Sequence, residues 1–343
     1  MKICIIGAGS WGSALAIAFS SIADISLFSH NKAQVQQINK FHTNEGYLPQ
    51  GIAFQSHVVA TDDFDSIHDV DLFIIATPIS ALREMLLKIR QKHYNVQKEE
   101  LKKITLPDII WVCKGFEAIT GLLPHQVFKE VFGDSIISYG ALLGPSFAAD
   151  VVHKLPTAIT LTGNDLDFIF KWIKIFKPIE NFRIYANQDI IGASIGAGVK
   201  NIIAIATGIV DGLHLGLNAR AALITRSLSE LSRLIIALGG CESTVYGLTG
   251  IGDLILTCTG DLSRNRQVGL QLATGKSLVE ITSTLGHVAE GVATTKEVYH
   301  LGKKLKISMP IIDAVYNVIY LAQDVKSCIY ELLSRESKLE FIK

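Results

Sequence analysis

The chain carries no excess of charge of either sign: 32 Lys and Arg offset 32 Asp and Glu across 343 residues. Without a basic surplus it lacks the electrostatic footprint of a nucleic-acid binder, and without a polybasic run it lacks that of a membrane-surface protein. Cysteine is sparse. Cys4, Cys113, Cys241, Cys258 and Cys328 are odd in number, widely spaced and mostly set in apolar runs. There is no CxxC and no Cys/His cluster, so no metal is expected, and the thiols read as free in a reducing cytoplasm. A signal peptide is not expected either, because a strand-like run follows Lys2 and Gly7, Gly9 and Gly12 interrupt any apolar segment. Internal repeats, low-complexity tracts and long linkers are missing too.

Apolar residues, by contrast, make up 49% of the chain, so a membrane span has to be considered. Residues 190–210 are the one run of about bilayer length. Glycines interrupt it, Lys200-Asn201 sits near its centre, and its flanks carry no pattern of basic anchors. It reads as a buried helix of a soluble protein.

The length suggests two domains with substantial cores. KICIIG predicts a strand, followed by a helix over about 11–20. DISLFSH predicts a second strand and DLFIIAT a third, with a helix through ALREMLLKI. DIIWVC and IISYGAL add two more, and PTAITLT and NFRIYAN close this half. Near-continuous apolar strands separated by helices describe a parallel sheet covered on both faces. From residue 190 helical periodicity runs through Gly239, and further helices are expected around 243–258, 263–274, 278–284, 291–306 and 310–335. The reading is an α/β domain over 1–189, with a Rossmann-type doubly wound, mostly parallel sheet, followed by an all-helical domain over 190–343.

GAGSWG places Gly7, Gly9 and Gly12 in a G-x-G-x-x-G pattern between a strand and a helix. In that setting the first glycine permits a tight turn, the second lets backbone approach a pyrophosphate, and the third lets helix pack on strand. The helix N-terminus adds free N–H groups and a positive dipole end. The second strand ends in Ser29, His30, Asn31 and Lys32, with no Asp or Glu to hold a free ribose hydroxyl. That absence removes a repulsion against a 2′-phosphate, and His30 and Lys32 would attract one. NADP(H) is therefore expected to be accepted and preferred, with NAD(H) possible, unless those residues are ordinary exposed loop.

Lys200 shares a helix face with Gly192, Gly196, Ala204 and Thr207. Burial would lower its pKa toward the range of a proton donor and acceptor, although a lysine whose amine snorkels to solvent fits the pattern equally. In GLTGIGDLILTCT, Asp253 and Thr257 are four apart and face one site; Asp253 also suits an N-cap. Ser263-Arg264-Asn265-Arg266 offers a helix-start serine and two guanidinium groups, suited to phosphate or simply a solvated basic turn. CKGFE and GPSFA leave predicted strand ends, where an open α/β sheet binds its ligands. They supply Lys114, Gly144, Ser146 and Ala148. GHVAEG is a glycine-hinged loop ending in Glu290, which also reads as a helix cap.

Taken together, GAGSWG, CKGFE, GPSFA, GAGVKN, GLTGIGDLILTCT, SRNRQ and AEG resemble, in order and spacing, the NAD(P)-dependent sn-glycerol-3-phosphate dehydrogenases of the bacterial type. The resemblance spans nearly the whole chain. It implies reversible reduction of dihydroxyacetone phosphate to sn-glycerol 3-phosphate, a glycerophospholipid precursor, by a cytoplasmic enzyme that is often a homodimer. It implies Lys200 as general acid/base, with Lys114 and Asp253 beside it. Substrate contacts would come from Lys114, Gly144, Ser146, Lys200, Asp253, Thr257, Ser263, Arg264 and Asn265. Cofactor contacts would come from Gly7, Gly9, Ser10, Trp11, Gly12, His30, Lys114, Ala148, Arg264, Val288 and Glu290. Leu143 and Asp150 depart from the family's usual residues, and the HLG at 214–216 is not diagnostic; none removes a charge or hydroxyl the chemistry needs. Two alternatives are a hydroxyacid dehydrogenase of related fold, and a non-catalytic NADP(H)-binding regulatory protein.

Overall fold

The computed structural model describes residues 1–93, 107–133, 137–285 and 289–336. Its first half is built on eight strands: β1 (Lys2–Ile6), β2 (Asp24–Phe28), β3 (Val58–Thr61), β4 (Leu72–Ile75), β5 (Asp108–Trp111), β6 (Tyr139–Leu143), β7 (Thr157–Gly163) and β8 (Phe182–Asn187). They form one sheet in the order β3-β2-β1-β4-β5-β6-β7-β8, parallel throughout except where β7 runs antiparallel to β6. Helices α1 (Ser10–Phe19), α2 (Lys32–Phe41), α3 (Ile79–His93), α4 (Pro124–Phe132), α5 (Ala148–Val152) and α6 (Leu166–Phe176) accompany the strands. The strands are apolar without alternation because both faces are covered. Ile3, Ile5, Leu72 and Ile74 enter one core, while Cys4, Ile6, Phe73 and Ile75 enter another on the opposite face.

One strand differs from the sequence expectation. β3 lies between the two segments expected to be consecutive, so DLFIIAT holds the fourth strand rather than the third.

The second half contains α7 (Ile190–Gly212), α8 (Gly216–Ala237), α9 (Asp253–Thr259), α10 (Arg264–Ala273), α11 (Leu278–Leu285), α12 (Glu290–Leu305), α13 (Pro310–Tyr320) and α14 (Val325–Leu333). The single helical run expected to Gly239 is two helices. His214 adopts a left-handed φ of 55° between α7 and α8, which ends one helix and redirects the chain. The helix expected over 243–258 is a 3₁₀ turn, a π-type turn with non-helical Gly250, and then α9. The expected 310–335 helix is likewise split into α13 and α14.

Helix α7 is long and apolar enough to cross a membrane, but 89% of its most apolar window is buried inside the protein. Its glycines explain how. A Cβ at Gly196 would lie 2.3 Å from the Thr249 carbonyl, one at Gly198 2.9 Å from Gly115 Cα, and one at Gly208 2.1 Å from the Arg266 carbonyl. Backbone from the loop after β5, the π-type turn and α10 presses against α7 at these places. Asp189 caps its start by accepting Gly192 N at 2.8 Å, and also accepts Cys241 N and Thr244 Oγ1. Ala193 and Ala197 extend into the sheet core, joining the helical half to the strands.

Candidate active site

Lys114 leaves the end of β5 and Gly144 the end of β6, at the edge of the sheet that faces α7. Asp253 opens α9 and Lys200 sits mid-way along α7. These groups meet. The Asp253 carboxylate, 1% exposed, is shared: Oδ1 accepts Lys200 Nζ at 2.5 Å and Oδ2 accepts Lys114 Nζ at 2.9 Å. Lys200 Nζ also donates to Thr257 Oγ1 at 2.9 Å, and that hydroxyl donates to the Asp253 carbonyl at 2.6 Å. Lys114 Nζ makes a further, longer bond to Gly144 O at 3.3 Å, which also accepts Ser146 Oγ at 2.9 Å. Asp253 thus serves the lysines rather than capping its helix, and Lys200 turns inward instead of snorkelling.

Two ammonium groups around one carboxylate leave the cluster with a net positive charge where water is largely excluded. A buried charge costs several kcal/mol unless fully compensated. Lys200 responds: burial brings its pKa down to about 8 against the pull of Asp253, with the Lys114 charge helping to lower it. Burial acts on Lys114 in the same direction, but Asp253 outweighs it and holds that ammonium above the ordinary range. Glu290 opens α12. Burial raises its carboxyl, although Lys114, Lys200 and Arg264 all pull it down.

At α10, Ser263 is the N-cap, accepting Arg266 N at 3.3 Å. The two neighbouring arginines diverge. Arg266 donates twice to Asp211, at 3.0 and 2.8 Å, and once to Asp261 at 3.0 Å, so its guanidinium is occupied by structure. Arg264 is exposed and has no hydrogen-bond or ion-pair partner among the described residues. Asn265, 9% exposed, accepts Gly291 N at 3.0 Å, tying α10 to the start of α12.

The glycine turn forms the second group. Gly7 adopts φ 111° and a Cβ there would meet Ala76 O at 2.9 Å; a Cβ on Gly12 would lie 1.9 Å from Gly7 O. Both are required by protein packing. Gly9 is different, since no atom of the described residues lies within 4 Å of its missing Cβ. It is the N-cap of α1 and offers no side chain to the first N–H groups. Empty space, unclaimed donors and a helix dipole fit a pyrophosphate. Thr77 Oγ1, just beyond β4 and beside Gly7, is buried without a partner among the described residues, a polar atom available to the same crevice. Ser10 and Trp11 start α1, Ala148 opens α5 packed against α1, and His30 is exposed beyond β2. Val288 lies outside the described residues.

Sequence reading missed a buried network holding this turn. The Ala8 carbonyl accepts Gln34 Nε2 at 2.8 Å, Asn44 Nδ2 at 2.9 Å and Ser13 Oγ at 3.4 Å. Gln34 Nε2 also donates to Asn44 Oδ1, and its Oε1 accepts Ser29 Oγ at 2.5 Å. Asn44 is 1% exposed. It lies in a polar HTNEG segment with no apolar periodicity, so only its burial reveals its part.

A glycine turn on a doubly wound sheet, joined to a helical half that buries a paired lysine, defines a dinucleotide-dependent dehydrogenase. Comparison narrows the class. Residues 2–169 match the family model described as NAD-dependent glycerol-3-phosphate dehydrogenase N-terminus, and residues 189–330 match that of its C-terminus. Glycerol-3-phosphate dehydrogenase [NAD(P)+] of Aromatoleum aromaticum is 45% identical over 345 residues, covering 99% of this chain and 100% of that protein. That of Dechloromonas aromatica is 45% identical over 340 residues, covering 99% of each. The crystal structure of glycerol-3-phosphate dehydrogenase from Coxiella burnetii superposes with a TM-score of 0.89 at 36% identity, over 97% of this chain and 99% of that one. The chain belongs to the NAD-dependent glycerol-3-phosphate dehydrogenase family.

Proposed function

We propose that the chain catalyses the reversible reduction of dihydroxyacetone phosphate to sn-glycerol 3-phosphate, accepting NADP(H) and NAD(H) with NADP(H) preferred. The observation that carries this reading is Lys200, buried, paired through Asp253 with Lys114, and holding a pKa near 8. The reduced nicotinamide supplies the hydride that reaches the C2 carbonyl. Lys200 donates its proton to the carbonyl oxygen as negative charge grows there, and takes it back in the reverse direction. Asp253 and Thr257 fix the direction of the ammonium, and Lys114 adds positive field. Arg264, Asn265 and the start of α10 at Ser263 hold the phosphate, with Gly144 and Ser146 bounding the rest of the substrate.

Gly7, Gly9, Ser10, Trp11 and Gly12 would hold the pyrophosphate of a bound cofactor. His30 would serve its adenosine end, and Lys114, Ala148, Arg264 and Glu290 would contact the rest of it. The division into domains 1–189 and 190–343 follows the turn between β8 and α7. A homodimer would cover apolar side chains exposed on the helical half, among them Leu217, Ile236 and Tyr246. A cytoplasmic location accords with the five free thiols.

The test is oxidation of NADPH, and separately NADH, by purified protein with dihydroxyacetone phosphate, followed by absorbance. Consumption with the phosphorylated ketone and none with unphosphorylated 2-keto acids is expected. No consumption by folded protein that still binds NADPH would overturn the reading.

A further inference from the structure

The end of β2 carries no acid in sequence, yet the fold brings one to it. β3 pairs in parallel with β2, register Phe28 to Thr61, and Ser29 N donates to Thr61 O at 3.0 Å. The next residue of β3's chain, Asp62, therefore lies beside Ser29 whatever its rotamer. Its Oδ2 is 3.9 Å from Lys32 Nζ, with the two side chains 32% and 84% exposed.

Neighbouring polar side chains take part in local structure. Ser29 Oγ donates to Gln34 Oε1, Asn31 Oδ1 accepts Gln34 N as the cap of α2, and Asp63 Oδ1 accepts Asp65 N. The His30 and Lys32 side chains and the Asp62 carboxylate have no hydrogen bond among the described residues and are left to meet the adenosine ribose.

We propose that Asp62 is a specificity-determining residue that opposes a ribose 2′-phosphate, offsetting Lys32 and narrowing the preference for NADP(H) over NAD(H). This rests on the cofactor reading above and deepens it. A 2′-phosphate drawn to Lys32 is brought toward the Asp62 carboxylate, whereas a 2′-hydroxyl pays no such repulsion. The interaction is between exposed groups, so it is modest and screened by salt.

The experiment is isothermal titration of the full-length protein with NADPH and with NADH, in the absence of substrate, for the wild type, Asp62→Asn and Lys32→Ala. Asp62→Asn is expected to tighten NADPH about threefold to tenfold at low ionic strength, with the gain shrinking near 1 M salt. NADH should stay within about twofold, which also reports an intact pocket. Lys32→Ala should weaken NADPH and leave NADH alone. An unchanged NADPH to NADH ratio in Asp62→Asn would overturn the proposal. So would selective loss of NADH, which would make Asp62 an acceptor for the ribose hydroxyl. Wild-type protein that binds neither nucleotide would overturn the cofactor reading itself, a different failure from a bound pair whose ratio does not move.

Discussion

Glycine serves opposite ends in the two halves of this molecule. In the turn before α1, Gly9 faces open space, and the absent side chain leaves room for something that is not protein. Along α7, the room left by Gly196, Gly198 and Gly208 is filled by the protein's own backbone. The same residue type thus makes a receptor in the sheet half and a seam in the helical half. Charge follows the same division. Around the glycine turn the fold offers N–H groups and surface cations, while in the helical half it buries Lys200 and Asp253 outright.

The sharpest challenge to this contrast is Lys200→Ala. If the helical half carries the chemistry, kcat falls by about 10²- to 10⁴-fold while NADPH affinity by titration hardly changes. Near-normal turnover would end the assignment. Arg264→Ala comes next: if Arg264 holds the substrate phosphate, losing those hydrogen bonds should raise KM about 10- to 100-fold with a smaller change in kcat, measured in steady state.

A matched pair of glycine substitutions tests receptor against seam directly. Gly208→Ala places a methyl against the Arg266 carbonyl and should cost about 1–3 kcal/mol of stability in denaturant unfolding. Gly9→Ala should leave unfolding nearly unaltered and weaken both nicotinamide cofactors instead. If Gly9→Ala destabilises the fold as much as Gly208→Ala, the contrast collapses.

The gentlest probe is pH. If Lys200 is the proton donor, the rate of reduction should hold below about pH 8 and decline above it, whereas oxidation of the alcohol should rise through the same range. Removing the neighbouring charge in Lys114→Met relieves one of the influences lowering the Lys200 pKa, and the reduction limb should move to higher pH. A limb that stays in place would show that Lys114 does not act on Lys200 through its charge.

The fold was largely legible because its signals are local. Continuous apolar strands, the glycine pattern and helical periodicity all lie within short windows. β3 escaped notice because VVAT is four residues long and Val59 is 58% exposed, leaving little apolar contrast. The break after α7 escaped because no proline marks it; a left-handed His214 does the work of the usual glycine. At the site, each lysine was readable alone, but the Lys114–Asp253 bond joins residues 139 apart in sequence, and no spacing rule reaches across a domain. By residue type alone Arg264 and Arg266 looked interchangeable, and the resemblance named Arg264. The positions of Asp211 and Asp261 supply the physical difference, holding Arg266 in the fold and leaving Arg264 outward. The carboxylate near β2 was hidden for the same reason as β3 itself.

The contact between α7 and α10 leaves the two helices little freedom to slide or part. A Cβ at Gly269 would lie 2.0 Å from Ile205 O and 2.8 Å from Gly208 Cα, so the two helices touch main chain to main chain. Lys200 rides on one of them and Arg264 starts the other. The separation of the two backbones that carry these residues is therefore fixed by peptide geometry, with no compressible side chain between them to let it drift. Such a joint leaves the helices to move as one body: a displacement of either would carry Lys200 and the start of α10 together.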